Sequence, residues 1–165
     1  VRESVNLPLL MKDIFVSPVQ LDAAAKMSAN AVLLIVALFD RYECELGLKQ
    51  MIEQAHNRGL EVLLETHTPD EFVRAIETDA DLVGINNRNL ATLTVDLNVT
   101  KNILAQSLSN GNGKVVVSES GINTATDVQV LRGCGARAFL VGSSVMSAGN
   151  VETKVRELVA ACNSR

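Results

Sequence analysis

Short apolar runs recur along the chain, each closing on polar or small residues. Leu7 to Met11 ends at Lys12-Asp13, Ala31 to Ala37 reads AVLLIVA, Leu60 to Leu64 closes on Glu65, and Asp81 to Ile85 ends on Asn86-Asn87-Arg88. Val115 to Val117 then breaks into Ser118-Glu119-Ser120-Gly121, and Ala138 to Val141 into Gly142-Ser143-Ser144. Continuous apolar runs of this length are buried on both faces, as strands of a parallel sheet are. The segments between them carry helix signals. Ser17-Pro18-Val19-Gln20 and Thr68-Pro69-Asp70-Glu71 each supply an N-cap, a proline at the first helical position and a side chain placed to close a capping box. The first of these helices is predicted to run to about Ser28. Arg41 to Arg58 carries Leu46, Met51, Ile52 and Ala55 at helical spacing and stops at Gly59, which suits a glycine C-cap. Asp96 is predicted to cap a helix through about Leu108, Ser109 to Gly113 to form a turn cluster, and Asn150 to begin a last amphipathic helix.

The pattern is strand, loop, helix, with strand ends near residues 12, 36, 65, 86, 118 and 142. It predicts an α/β fold with an all-parallel sheet covered by helices. In that architecture the C-terminal ends of the strands share one rim. Lys12, Glu65, Asn86, Ser120 with Gly121, and Gly142 with Ser143 are therefore predicted to converge on one pocket although they are far apart in sequence.

Composition narrows the class. A length of 165 residues suits one domain spanning 1–165, and 47% hydrophobic residues with only 3% aromatic means a core of Val, Leu, Ile and Ala. The net charge of −4 argues against a nucleic-acid surface, which needs clustered Lys and Arg. Cys44, Cys134 and Cys162 are odd in number and widely spaced, so they outline neither a disulfide framework nor a metal site. The N-terminus lacks a secretory pattern and no apolar run is long enough to span a bilayer. The expectation is a cytoplasmic protein without nucleic-acid or membrane partners.

The loops at Ser118 to Gly121 and Gly142 to Ser144 are short Gly/Ser turns after strands, where free backbone N–H groups and a helix start accept a phosphate. Tight turning alone would also explain their glycines. Lys12 and Glu65 place a cation and a carboxylate on the same rim, the minimum for acid–base chemistry; singly, Lys12 is also explained as a solvated lysine at a strand end and Glu65 as a helix-entry acid. His56 and His67 are read as hydrogen-bonding residues only, and Cys134 as a small buried filler.

Six landmarks in order, Leu10-Met11-Lys12-Asp13, Ala31 to Val36, Glu65-Thr66-His67, Gly84 to Leu90 (GINNRNL), Ser118 to Ile122 (SESGI) and Val141 to Ser144, make the chain resemble the indole-3-glycerol phosphate synthase family over nearly its whole length. The resemblance implies a (βα)8 TIM-barrel type of fold, of which this chain holds about six βα units, the third to the eighth. It implies a phosphorylated small-molecule substrate, 1-(2-carboxyphenylamino)-1-deoxyribulose 5-phosphate, closed to a pyrrole ring with loss of carbon dioxide and water and without a cofactor. Lys12 matches the family's catalytic lysine, Glu65 the partnering glutamate, and Asn86 the third catalytic position. Arg88 matches a substrate carboxylate contact, Glu119 a polar rim position near the sugar hydroxyls, and Ser120, Gly121, Gly142 and Ser143 the phosphate grip. Ile14-Phe15 and Val19 depart from the family's usual placing of aromatics. The family's strand-one glutamate and lysine have no counterpart, which implies weak or no synthase activity for the isolated chain and strand edges free to pair in a homo-oligomer. The alternatives are another phosphate-binding barrel of the phosphoribosyl isomerase type and a non-catalytic, self-associating barrel fragment.

Overall fold

The computed structural model describes residues 1–107 and 113–163; Leu108 and residues 109–112 of the expected turn cluster lie outside the described residues. A 3-10 turn at Arg2–Ser4 precedes β1 (Leu10–Met11), α1 (Pro18–Lys26), β2 (Ala31–Ile35), α2 (Val36–Asp40), α3 (Leu48–His56) and β3 (Glu61–Thr66). Then follow α4 (Pro69–Ile76), β4 (Leu82–Asn86), α5 (Asn98–Gln106), β5 (Val115–Glu119), α6 (Ala125–Gly133), β6 (Ala138–Leu140), α7 (Ser143–Met146) and α8 (Val151–Asn163). The six strands form one sheet in chain order, every neighbouring pair parallel. With the helices alternating between the strands, this is the curled α/β arrangement of a TIM-type barrel carrying six βα units.

Strand parity separates two apolar layers. Val32, Leu34, Val62, Leu64, Val83, Ile85 and Val116 point outward and pack with Leu21, Met51, Ile52, Phe72, Ala75 and Ile103 from the helices. Leu33, Ile35, Leu63 and Val117 point the other way, into the lumen, joined there by Leu10, Leu82, Ala138 and Leu140. A separate cluster, Ile122, Val128, Leu131, Ala136, Leu158 and Ala161, fastens α6 to α8.

Several predicted boundaries move, each for a local reason. β1 is confined to Leu10–Met11 because Pro8 has no N–H to donate to a ladder. The run AVLLIVA is not strand throughout: β2 stops at Ile35 and Val36 opens α2, since burial alone does not distinguish a strand from a first helical turn. The helix expected over Arg41 to Arg58 is shorter, starting after Gly47 and ending at His56, with Gly59 in the left-handed region at φ 72°. β5 continues through Ser118 and Glu119, whose side chains are both buried, on opposite faces of the sheet. The Ser17–Gln20 capping box forms, with Gln20 Oε1 accepting from Ser17 N at 3.0 Å. At α4, Thr68 caps Glu71 N, but the Glu71 carboxylate reaches back to His67 N at 2.6 Å.

Candidate active site

The same parity that builds the lumen core positions its polar end. Two residues beyond Leu10, Leu63 and Val117 stand Lys12, Glu65 and Glu119, and Asn86 is two beyond Gly84. The register pairs Glu65 with Gly84 and Asn86 with Glu119, so these groups form one polar layer over the apolar one.

Lys12 Nζ lies 3.2 Å from Glu65 Oε2 and 3.3 Å from Glu119 Oε2. Both carboxylates are 1% exposed, whereas the Lys12 side chain is 44% exposed and so forms the open side of the cluster. Glu65 Oε1 accepts from Asn86 Nδ2 at 2.9 Å and sits 3.2 Å from His67 Nε2. Asn86 Oδ1 in turn accepts from Arg88 N at 3.0 Å, which sets the orientation of its amide. Neither oxygen of Glu119 has a hydrogen-bond partner; it meets Lys12 as a charge contact. The space it occupies exists because Gly84 has no side chain: a Cβ there would collide with Glu119 Oε1.

One ammonium between two buried acids cannot hold both as anions equally. Burial and the charge of Glu65 push Glu119 up to about 8, against a weaker pull from Lys12. Burial also works to raise Glu65, but His67, Asn86 and Lys12 outweigh it and hold its carboxyl well below the usual range. Burial lowers Lys12, and Glu65 and Glu119 more than restore it, leaving the ammonium above its ordinary value. At neutral pH the layer presents an ammonium, a carboxylate and a neutral carboxyl side by side, a set able to donate protons and to steady developing charge.

Behind this layer lies a second polar network. Asn87 faces outward and its amide donates to Ser118 Oγ, Glu119 O and Ser120 O at 3.0–3.1 Å, while its oxygen accepts from Thr100 N and Thr100 Oγ1. It ties β4, the end of β5 and α5 together beneath the following loop. In that loop Ser120 and Gly121 both adopt left-handed backbone, φ 66° and 80°. Ser120, Gly121, Gly142 and Ser143 line one cleft of about 320 Å³ with Arg88, Val95, Leu97 and Asn123. Gly142 precedes the short α7, and Ser144 Oγ donates to Ile122 O, joining the two loops. Arg88 is held by a backbone bridge to Val95 and by Nη1 donating to Leu93 O at 3.0 Å. It also lines a second groove, of about 440 Å³, with Arg41, His67, Glu71, Asn86 and Leu90.

The structure therefore brings Lys12, Glu65, Asn86 and Glu119 together, and gathers Ser120, Gly121, Gly142, Ser143 and Arg88 around the adjoining cleft. Glu119 is a buried strand residue rather than a loop residue. Phe15 belongs to the outward core, while Ile14 and Val19 are exposed. His56 pairs with Asp81 at the surface, and Cys134 is partly buried against the outward core. Sequence reading assigns no role to Gly84 and Asn87 and only a hydrogen-bonding one to His67, whose ring nitrogens instead make charge contacts with Glu65 and Glu71; the available signal was its place two residues after Glu65, which puts both on the lumen side. Among the described residues no group of three or more His, Cys, Asp or Glu is arranged to hold a metal ion, and no helix is long and apolar enough to cross a membrane.

The family model described as indole-3-glycerol phosphate synthase matches residues 1–158. The chain belongs to the indole-3-glycerol phosphate synthase family. Curated relatives of that name include one from Halobacterium salinarum, 40% identical over 161 residues covering 98% of this chain and 59% of the relative, and one from Aquifex aeolicus, 41% identical over 159 residues covering 96% and 60%. The chain thus spans little more than half the length of the family members it matches. Among solved structures, thiamine phosphate pyrophosphorylase from Pyrococcus furiosus superposes with a TM-score of 0.69 at 21% identity, covering 98% of this chain and 69% of that one. FabK from Thermotoga maritima gives 0.63 at 13%, covering 87% and 43%. At those identities the likeness is one of fold.

Proposed function

We propose that the chain carries the phosphate grip and the main part of the catalytic layer of an indole-3-glycerol phosphate synthase. The observation that carries this reading is the juxtaposition of Lys12, Glu65, Asn86 and Glu119 in one lumen layer beside the Ser120–Gly121 and Gly142–Ser143 cleft, in a chain of this family.

In this reading the substrate's phosphate lies in the cleft against Ser120, Gly121, Gly142 and Ser143, whose turn backbones offer N–H donors. Arg88 meets the carboxylate of the carboxyphenylamino group, for which a guanidinium fork is suited. The aromatic carbon bearing that carboxylate attacks the ribulose carbonyl, and Lys12 gives a proton to the carbonyl oxygen as it becomes a hydroxyl. Carbon dioxide then leaves, restoring the aromatic ring. The hydroxyl takes a proton from solvent and departs as water, and Glu65, ionised and fixed by Asn86, steadies the cationic ring and accepts the ring proton that is lost. Glu119 faces the sugar hydroxyls. No cofactor enters this scheme.

The whole chain forms a single partial barrel domain in this proposal, acts in the cytoplasm on a phosphorylated small molecule, and uses the open edges of β1 and β6 for self-association. The free thiols of Cys44, Cys134 and Cys162 suit such a compartment. The test is turnover of 1-(2-carboxyphenylamino)-1-deoxyribulose 5-phosphate, followed by indole fluorescence, together with inorganic phosphate titration and size-exclusion chromatography. Turnover abolished in Lys12→Ala supports the proposal. Undiminished turnover in that variant overturns the role of Lys12, and phosphate binding by a stable oligomer without turnover favours a non-catalytic fragment.

A further inference from the structure

His67 is a titratable group that the proposed reaction does not use. It follows β3, and its ring sits between two acids on the lumen side. Nε2 is 3.2 Å from Glu65 Oε1, and Nδ1 is 3.7 Å from Glu71 Oε2 at the start of α4. The side chain is 15% exposed, and neither nitrogen makes a well-aligned hydrogen bond, so its link to both acids is chiefly one of charge. The Glu71 carboxylate is itself fixed, because it accepts from His67 N at 2.6 Å and thereby locks the turn that carries the ring.

We propose that His67 is a positioning residue that decides which of the two lumen carboxyls carries the proton: its imidazolium, seated between Glu71 and Glu65, keeps Glu65 the anion and leaves the proton on Glu119.

The geometry is asymmetric in the way this requires. Lys12 is nearly equidistant from the two acids, 3.2 and 3.3 Å, so its charge acts on both alike, and its one hydrogen bond to them goes to Glu65. His67 and Asn86 both address Glu65 and neither addresses Glu119. A second cation on one side of a coupled pair sends the shared proton to the other side. The remaining charges around the ring are accounted for. Arg41, Arg88 and Asp96 line the same groove, and Asp40, which faces Glu71, is engaged by Arg74 at 2.6 and 2.8 Å. Burial opposes the charge on His67, but Glu65 and Glu71 overcome it and hold the imidazolium up to about 9.

The consequence for catalysis rests on the synthase reading; the placement of the proton does not. Glu65 would stay ionised throughout the working range, and Glu119 would stand beside Lys12 as a neutral donor.

The test is an NMR titration of the full chain with isotope-labelled glutamate and histidine. Glu65 is assigned from Glu65→Gln and Glu119 from Glu119→Gln. In the unaltered chain His67 is expected to keep its proton beyond pH 8, and Glu119 to titrate far above Glu65. In His67→Gln the Glu65 titration is expected to rise by about one pH unit, and in His67→Lys, which restores a cation, to return towards its original position. If His67→Gln does not fold, Glu71→Gln serves: it removes one counter-charge, and the His67 titration should fall by about one pH unit. A His67 that loses its proton below pH 7, or a Glu65 titration unmoved in His67→Gln, overturns the proposal. With turnover measured in parallel, the acid limb of the pH profile should move up with Glu65 in His67→Gln; a limb that stays put while the Glu65 titration moves overturns the catalytic role given to Glu65 and leaves the proton assignment in place. The expected titrations without any turnover overturn the synthase reading and leave the proton assignment in place.

Discussion

Gly84 and Glu119 are neighbours across β4 and β5, and the glycine makes room for the acid: its missing Cβ would stand in the carboxylate of Glu119, with Leu63 Cδ1 closing the other side at 3.4 Å. Glu119 is buried and has nowhere to withdraw without leaving Lys12. Gly84→Ala is therefore expected to destabilise the fold by about 2 kcal/mol, as over-packing of a tight interior does. Adding Glu119→Ala should recover most of the loss, a compensation readable in urea midpoints.

The two acids that share Lys12 differ in charge state and so should differ in their response to the amide substitution. Glu119→Gln replaces a carboxyl that is neutral in both the folded and the unfolded chain at pH 4 by a neutral amide, and stability there should change by less than about 0.5 kcal/mol. Above pH 8, where Glu119 in the unaltered chain must ionise, the same substitution should stabilise. Glu65→Gln removes a paired buried anion and should cost about 2 kcal/mol or more at both pH values. Denaturant unfolding at pH 4 and 9.5 checks the asymmetry.

Gly121 has a left-handed backbone at φ 80°, and a Cβ on it would meet Val95 Cγ1, with Leu97 Cδ2 at 3.3 Å. Val95 is bridged to Arg88, so the cleft loop and the arginine loop are clamped together at this glycine. Gly121→Ala is expected to weaken inorganic phosphate binding at least tenfold, the equivalent of about 1.4 kcal/mol. Val95→Ala in the same chain should relieve the collision but not the backbone strain, restoring binding only in part. Calorimetric titration of the two variants separates these contributions.

Asn87 is 1% exposed and serves five hydrogen bonds that join β4, β5 and α5. Asn87→Leu fits the space approximately but takes from Thr100 N and Ser120 O the partners that the amide gives them. A loss of about 3 kcal/mol is expected, along with weaker phosphate binding, since Ser120 O is among the orphaned groups. Thermal unfolding and the same phosphate titration test both effects.

Stability should pass through a maximum at about pH 5 to 6, and the sign of each slope follows from the ionisable groups. His67 is raised from 6.5 to about 9, so its contribution is complete below pH 6.5 and is lost as pH climbs towards 9. That loss is on the order of 3 kcal/mol. Glu119, raised from 4.5 to about 8, acts in the same direction over a lower range. Glu65 and Glu71 are lowered, so their contribution is present above pH 4.5 and is lost in acid. Urea midpoints measured across pH 3 to 10 check the curve, and His67→Gln should flatten its alkaline side.

Much of this architecture was legible before any coordinates. Apolar runs alternating with capped helical segments specify a parallel α/β sheet, and the positions where the runs turn polar, Lys12, Glu65 and Asn86, are those that meet in the lumen layer. The landmarks carrying the family resemblance lie at the same places. The legible part is chemical pattern within one segment at a time. What stayed hidden depends on pairs of segments: a histidine beside a helix start gives no sign that two acids flank it, and a glycine in an apolar strand gives no sign of the side chain it makes room for.

The chain by itself determined that there are six strands, that their polar ends are candidates for chemistry, and that two Gly/Ser turns follow the last two; it did not show that the edge strands β1 and β6 are only half-buried. Tertiary structure alone decided which side each polar residue faces. Ser118 and Glu119 are adjacent and equally plausible in isolation; register sends Ser118 outward to Asn87 and Thr100 and Glu119 inward to Lys12. The physical reason is that side chains alternate along a strand while charge acts through space. Burial and neighbouring charge, not residue type, make Glu65 the anion and Glu119 the acid.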